Sequence, residues 1–136
     1  MVRYMYDHVH LISPNPVKAA EFYEHAFGAT RVAVGQYPEG GTRVELRLEG
    51  TRLLIRTPVD ASCTAEDAPG TRHGLEHFGI RTDDIETAVT DLKAKGVQFI
   101  GDIKVSSATG ARIAFLMAPD NVMIELLQPA RTATAS

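Results

Sequence analysis

The chain reads as an α+β protein built from two tandem βαβββ units, with helices on one side of mixed, mostly antiparallel sheets. Three observations predict this. The stretch Asp7-His8-Val9-His10-Leu11-Ile12-Ser13 is written a second time, 69 positions later, as Glu76-His77-Phe78-Gly79-Ile80-Arg81-Thr82. The same offset sets Ala19 on Ala88, Gly41 on Gly110, Arg43 on Arg112, Ile55 on Ile124 and Arg56 on Glu125. Repetition at one fixed offset marks a duplicated supersecondary unit of roughly 65 residues. Each copy also holds one segment of helical spacing, and several short alternating segments split by turn residues.

Residues 6–13 alternate apolar and polar, as a strand does. Pro14-Asn15-Pro16 ends that strand, and Pro16 suits the first turn of a helix. Val17, Ala20, Tyr23 and Phe27 follow at helical spacing, and Gly28 stands where a left-handed cap is wanted. Strands are predicted near 30–37, 42–48 and 52–57, split by Pro38-Glu39-Gly40-Gly41 and Glu49-Gly50-Thr51. The second unit repeats the plan. A strand is predicted over 75–82, and Asp83 or Asp84 caps a helix running through Ile85, Val89 and Leu92 to Lys95 and Gly96. Strands near 97–100, 111–117 and 122–127 complete it. One domain of 136 residues is therefore expected, with modules at about 4–58 and 74–129, a polar linker over 59–73 and a loose tail over 130–136.

Composition narrows the class of function. A hydrophobic content of 44%, a charged content of 23% and a net charge of −3 describe an ordinary globular protein with no basic field for nucleic acid or an anionic membrane. No apolar run reaches spanning length, and no secretory signal pattern opens the chain. Cys63 is the one cysteine, so no intrachain disulfide is possible. A cytoplasmic location is the expectation.

Strand parity sorts the side chains. His8, His10 and Ile12 oppose Val9 and Leu11; His77, Gly79 and Arg81 oppose Phe78 and Ile80; Met123, Glu125 and Leu127 oppose Ile124 and Leu126. Arg43, Glu45 and Arg47 oppose Val44, Leu46 and Leu48, while Arg112, Ala114 and Leu116 are set against Ile113, Phe115 and Met117. The all-apolar sets are expected to pack under the helices. The other face then gathers His8, His10, Arg43, Glu45, Arg47, Arg56, His77, Arg112 and Glu125. That mixture is either a wetted sheet face or, with Leu54, Leu116, Met123 and Leu127 among the charges, a lined cavity; the cavity is favoured.

Four stretches carry a resemblance to a known family: Asp7-His8-Val9-x-Leu11, Ala19-Ala20-Glu21-Phe22-Tyr23-x-x-x-Phe27-Gly28, Glu76-His77-Phe78-x-Ile80, and Ala118-Pro119-Asp120-Asn121-x-Met123-Ile124-Glu125-Leu126-Leu127. Together they resemble the vicinal oxygen chelate superfamily of glyoxalases, bleomycin-resistance proteins and extradiol dioxygenases. The resemblance implies that each unit curls into a half-open cup, and that paired cups enclose a divalent metal. It places metal ligands at His8, His77 and Glu125. It also places position 56 at a ligand site where some members, the glyoxalases I among them, carry Glu or Gln; here Arg56 has no lone pair to give. Two imidazoles and one carboxylate suit Fe²⁺, Mn²⁺, Co²⁺, Ni²⁺ or Zn²⁺.

The resemblance implies a metal-dependent lyase or isomerase acting on a small, oxygen-rich, anionic metabolite. Two alternatives stay open: an Fe²⁺ dioxygenase, and a metal-free binding protein of the bleomycin-resistance type. His10 and Glu125 are the candidate proton-transfer groups. Arg56, Arg43, Arg112 and Tyr37 are the candidate substrate contacts, with an ion pair to Glu45 or Glu125 as the alternative for Arg56. His25 and His73 are read as surface residues. A homodimer is expected, because single pairs of such units leave sheet edges to cover.

Overall fold

The computed structural model describes residues 3, 7–38, 40–58, 75–107 and 109–131. The linker, with Cys63 and His73, and the end of the tail lie outside the described residues. The chain divides into two compact units, Met1–Ala65 and Glu66–Ser136.

In the first unit β1 (His8–Ile12) leads into α1 (Pro16–Phe27), then β2 (Thr30–Gln36), β3 (Thr42–Leu48) and β4 (Thr51–Arg56). The second unit repeats the order: β5 (His77–Arg81), α2 (Ile85–Ala94), β6 (Gln98–Val105), β7 (Arg112–Ala118) and β8 (Val122–Gln128). Each unit forms a four-stranded sheet, in the orders β1-β4-β3-β2 and β5-β8-β7-β6. β1 runs parallel to β4 and β5 to β8, and the other pairs are antiparallel.

Local chemistry accounts for the helices. Asn15 caps α1 by accepting from Lys18 N, Pro16 takes the first turn, and Gly28 closes the helix in the left-handed region at φ 70°. Pro16, Ala19, Ala20, Tyr23 and Ala26 form the buried stripe. Asp84, rather than Asp83, caps α2 through Thr87 N, and Ile85, Val89 and Leu92 face the sheet. The first core joins that α1 stripe to Val44, Leu46, Leu53 and Ile55, and the second joins α2 to Ala114, Leu116, Ile124 and Leu126. No helix among the described residues is long and apolar enough to cross a membrane.

The two sheets differ in register. Across the first, side chains fall into the rows His8–Arg52–Arg47, His10–Leu54–Glu45 and Ile12–Arg56–Arg43. Across the second, the matching rows are His77–Met123–Met117, Gly79–Glu125–Phe115 and Arg81–Leu127–Ile113. The β3–β4 hairpin turns on Glu49 and Gly50, both at positive φ, whereas β7–β8 turns on the longer 3-10 segment Pro119–Asn121. The correspondence between units therefore drifts by one residue at β7 and by two at β8.

Two expectations are corrected by that drift. A one-residue slip reverses the faces of a strand. Ala114 and Leu116, at 2% and 0% exposure, pack under α2, while Ile113, Phe115 and Met117 share the His77 face. Arg112 goes with the helix face, where its guanidinium meets Glu86 of α2 at 2.7 Å. The two-residue drift at β8 restores the face but moves the partner: Glu125 corresponds to Leu54, and Arg56 to Leu127.

Candidate metal centre

The second unit places two predicted ligands side by side. His77 pairs in register with Met123 on β8, and Glu125 pairs with Gly79 on β5. Because paired and alternate residues share a face, the imidazole and the carboxylate converge, with His77 Nε2 and Glu125 Oε2 3.7 Å apart. That is too long for a hydrogen bond. His77 Nδ1 is buried with no hydrogen-bond partner among the described residues. Phe115, reoriented by the β7 slip, sets its ring edge-on to His77 at 5.4 Å between centroids. Gly79 stands beside the carboxylate, where a Cβ would make ordinary van der Waals contact at 3.8 Å from Glu125 O and 4.0 Å from Oε1.

These donors fit a metal ion. Bonds of about 2.1 Å in a tetrahedral site put two ligand atoms roughly 3.4 Å apart. The pair at 3.7 Å lies near that spacing, and no hydrogen bond among the described residues ties up His77 Nε2 or the Glu125 carboxylate. Within each unit, no three His, Cys, Asp or Glu side chains among the described residues gather into a metal-holding group.

The first unit treats its histidine differently. His8 Nδ1 lies 2.7 Å from Asp7 Oδ2, and that same oxygen accepts from Arg52 at 2.9 Å. Arg52 also grips Glu45, with Nε to Oε2 at 3.3 Å and the second guanidinium nitrogen to Oε1 at 3.0 Å. Hydrogen bonding from His8, with Arg52 beside it, holds the Asp7 carboxyl below its usual range; Arg52 does the same for Glu45. Sequence reading passed over Arg52, although its parity with Leu54 and Arg56 marks it as a neighbour of His8.

The remaining candidates separate. His10 lies in the row of Leu54 and Glu45, its ring 6.0 Å from that of His8. Burial, then the positive charge of His8, Arg56 and Arg43, lowers its pKa below 6.5. Arg56 donates to Thr57 O at 3.0 Å and lies over the Tyr37 ring at 3.9 Å, while the ion pairs of Glu45 among the described residues are with Arg52 and Arg43. Arg43 shares its row with Arg56 and sits 4.0 Å from Glu45. Arg112 is not part of this group. His25 is an exposed residue of α1. A cavity of about 420 Å³ lies on the helix side of the second sheet, between α2 and the irregular middle of β6, away from the His77 face.

A four-stranded βαβββ unit, repeated, with an imidazole–carboxylate pair on the sheet face turned away from the helix, defines a glyoxalase-like class of protein. The sequence model of the Glyoxalase/Bleomycin resistance protein/Dioxygenase superfamily matches residues 6–126, and the chain belongs to that superfamily. Among curated relatives, the mitochondrial methylmalonyl-CoA epimerase of Mus musculus is 32% identical over 127 residues, covering 90% of this chain and 71% of that protein. The Homo sapiens epimerase is 30% identical, with 90% and 72% covered. Among solved structures, a glyoxalase family protein from Enterococcus faecalis aligns with a TM-score of 0.79 at 22% identity, covering 90% of this chain and 96% of that one, a likeness of fold.

Proposed function

We propose that the protein is a metal-dependent isomerase of the epimerase type, moving a proton at a carbon next to a carbonyl in a small anionic substrate. The observation that carries this reading is the pairing of His77 Nε2 and Glu125 Oε2 at 3.7 Å with no hydrogen bond between them. The epimerase relatives support it. His77, Glu125 and His8 through Nε2 are the residues that would hold a divalent ion. Such an ion, when bound, supplies Lewis-acid stabilisation of negative charge developing on a carbonyl oxygen.

The rest of the chemistry belongs to the chain. His10, whose pKa is lowered by burial and by the positive charge around it, is the candidate to take a proton from the substrate carbon. Glu125 is the candidate for the second transfer that an inversion needs. Arg56 and Arg43, side by side across β3 and β4, suit a substrate carboxylate or phosphate, and Tyr37 steadies Arg56 by lying under its guanidinium. A homodimer fits this reading and is checked by light scattering.

The test is solvent-deuterium exchange. The purified protein, loaded with Co²⁺ or Mn²⁺, is expected to wash deuterium into the α-carbon of methylmalonyl-CoA without consuming oxygen. Oxygen uptake would favour the dioxygenase. A protein that takes up no divalent metal would favour the binding protein, and either result overturns the isomerase reading.

A further inference from the structure

The two units hold their histidines at equivalent places by opposite means. Beside His77, Met123 holds the paired place on β8, and Phe115, one row along, sets its ring against the imidazole. At the equivalent positions the first unit carries Arg52 and Glu45. An ion pair thus replaces a thioether and a phenyl ring on the face of His8.

That substitution has a geometric consequence. Arg52 is anchored at two points on Glu45, whose side chain is only 14% exposed, and so cannot swing freely. Its remaining nitrogen holds Asp7 Oδ2 at 2.9 Å, on the oxygen that meets His8 Nδ1 at 2.7 Å. Asp7 by itself is 67% exposed and would sample many rotamers. An ionised carboxylate accepts hydrogen bonds and donates none, so Nδ1 carries a proton, and in the neutral ring that leaves Nε2 as the nitrogen with the lone pair a cation needs. No hydrogen bond among the described residues engages Nε2. A ligating histidine oriented by a carboxylate on its other nitrogen is the usual arrangement at metal sites.

We propose that Arg52 is a positioning residue: anchored on Glu45, it fixes Asp7 against His8 and so presents His8 Nε2, in the right tautomer, as a ligand for a divalent cation. This rests on the metal-dependent reading above. The ligand chemistry is that of a borderline cation accepting imidazole nitrogen, such as Co²⁺.

The experiment uses the full chain in four forms: wild type, Arg52→Met, Arg52→Lys and Asp7→Ala. Methionine copies the residue at the equivalent place in the second unit, and Asp7 is exposed enough that its loss leaves the core untouched. Co²⁺ is titrated into each by calorimetry, and the imidazole nitrogens of His8 and His77 are followed by ¹⁵N NMR without metal. Arg52→Met and Asp7→Ala are each expected to weaken Co²⁺ binding by roughly 10–100-fold. Arg52→Lys should recover part of that loss. The metal-free His8 spectrum should change from the Nδ1–H tautomer to a mixture in the Arg52→Met and Asp7→Ala forms, with His77 unmoved. Arg52→Met and Asp7→Ala forms that bind Co²⁺ as the wild type does and keep its His8 tautomer would overturn the positioning role. A wild type that takes no Co²⁺ would instead sink the metal-dependent reading. In that case an Nδ1–H tautomer lost in Asp7→Ala would uphold the orienting relay alone, and an unchanged tautomer would overturn it as well.

Discussion

Leu54 holds, in the first sheet, the ladder place that Glu125 holds in the second. Leu54 pairs with His10 and Glu45, and Glu125 pairs with Gly79 and Phe115, at matching steps from the equivalent histidines. The first unit therefore lacks a carboxylate at Leu54, and Arg56 stands one row further along. Leu54→Glu should raise divalent-metal affinity, read by calorimetry, whereas Arg56→Glu should not. Because Leu54 is 6% exposed, the metal-free variant should melt below wild type and regain stability when metal is added. Higher affinity from Arg56→Glu but not from Leu54→Glu would show that ladder register misplaces the missing ligand.

His77 and Glu125 face one another, and among the described residues no hydrogen bond competes for His77 Nε2 or the carboxylate. His77→Ala should abolish stoichiometric metal binding, measured by elemental analysis after dialysis. The fold should survive, since the ring is part-exposed and its main neighbour is the Phe115 edge. Full metal content in the variant would remove this pair from the metal centre.

Arg56 and Arg112 should behave oppositely. Arg56→Ala should weaken binding of an anionic substrate by about 1.5–3 kcal/mol, the usual worth of a hydrogen bond to a charged group, with metal content unchanged. Arg112→Ala removes an exposed pair with Glu86 and should alter stability by no more than about 1 kcal/mol, with substrate binding untouched. Inhibitor titration and thermal melts separate the two. Equal losses of substrate affinity would return Arg112 to the site.

The slip of β7 has its own test. Leu116 is fully buried under α2, so Leu116→Ala should cost about 2–5 kcal/mol in denaturant unfolding. Met117→Ala, on the other face and part-exposed, should cost clearly less. The reverse ranking would restore the faces that the repeat alone predicts.

His10 makes stability depend on pH. Its folded pKa lies below 6.5, chiefly through burial and then through the positive charge of His8, Arg56 and Arg43. In the window below 6.5 the unfolded chain binds more protons than the folded one, so stability falls as pH falls. The contribution is whole above 6.5 and is lost as pH drops through the folded pKa. His10→Gln should flatten that part of a plot of urea midpoint against pH. An unchanged slope would mean that His10 is not held neutral.

The repeat, the helices with their caps and the face of each histidine were legible in the amino-acid order, because capping, turn chemistry and strand alternation are local. Asn15, Gly28 and Asp84 sit where their side chains or φ angles require them, and the period of two put His8, His77 and Glu125 on the faces they occupy. Register is not local. One residue gained before β7 and another in the Pro119–Asn121 turn are silent in an ungapped comparison, yet the first reverses a strand and the second moves a correspondence by two places. Only ladder pairing in the folded units revealed that Arg112 turns toward α2, that Phe115 meets His77, and that Leu54 answers to Glu125. The Asp7–Arg52–Glu45 relay was hidden for the same physical reason: residues 45 positions apart in sequence become neighbours when β1 lies parallel to β4.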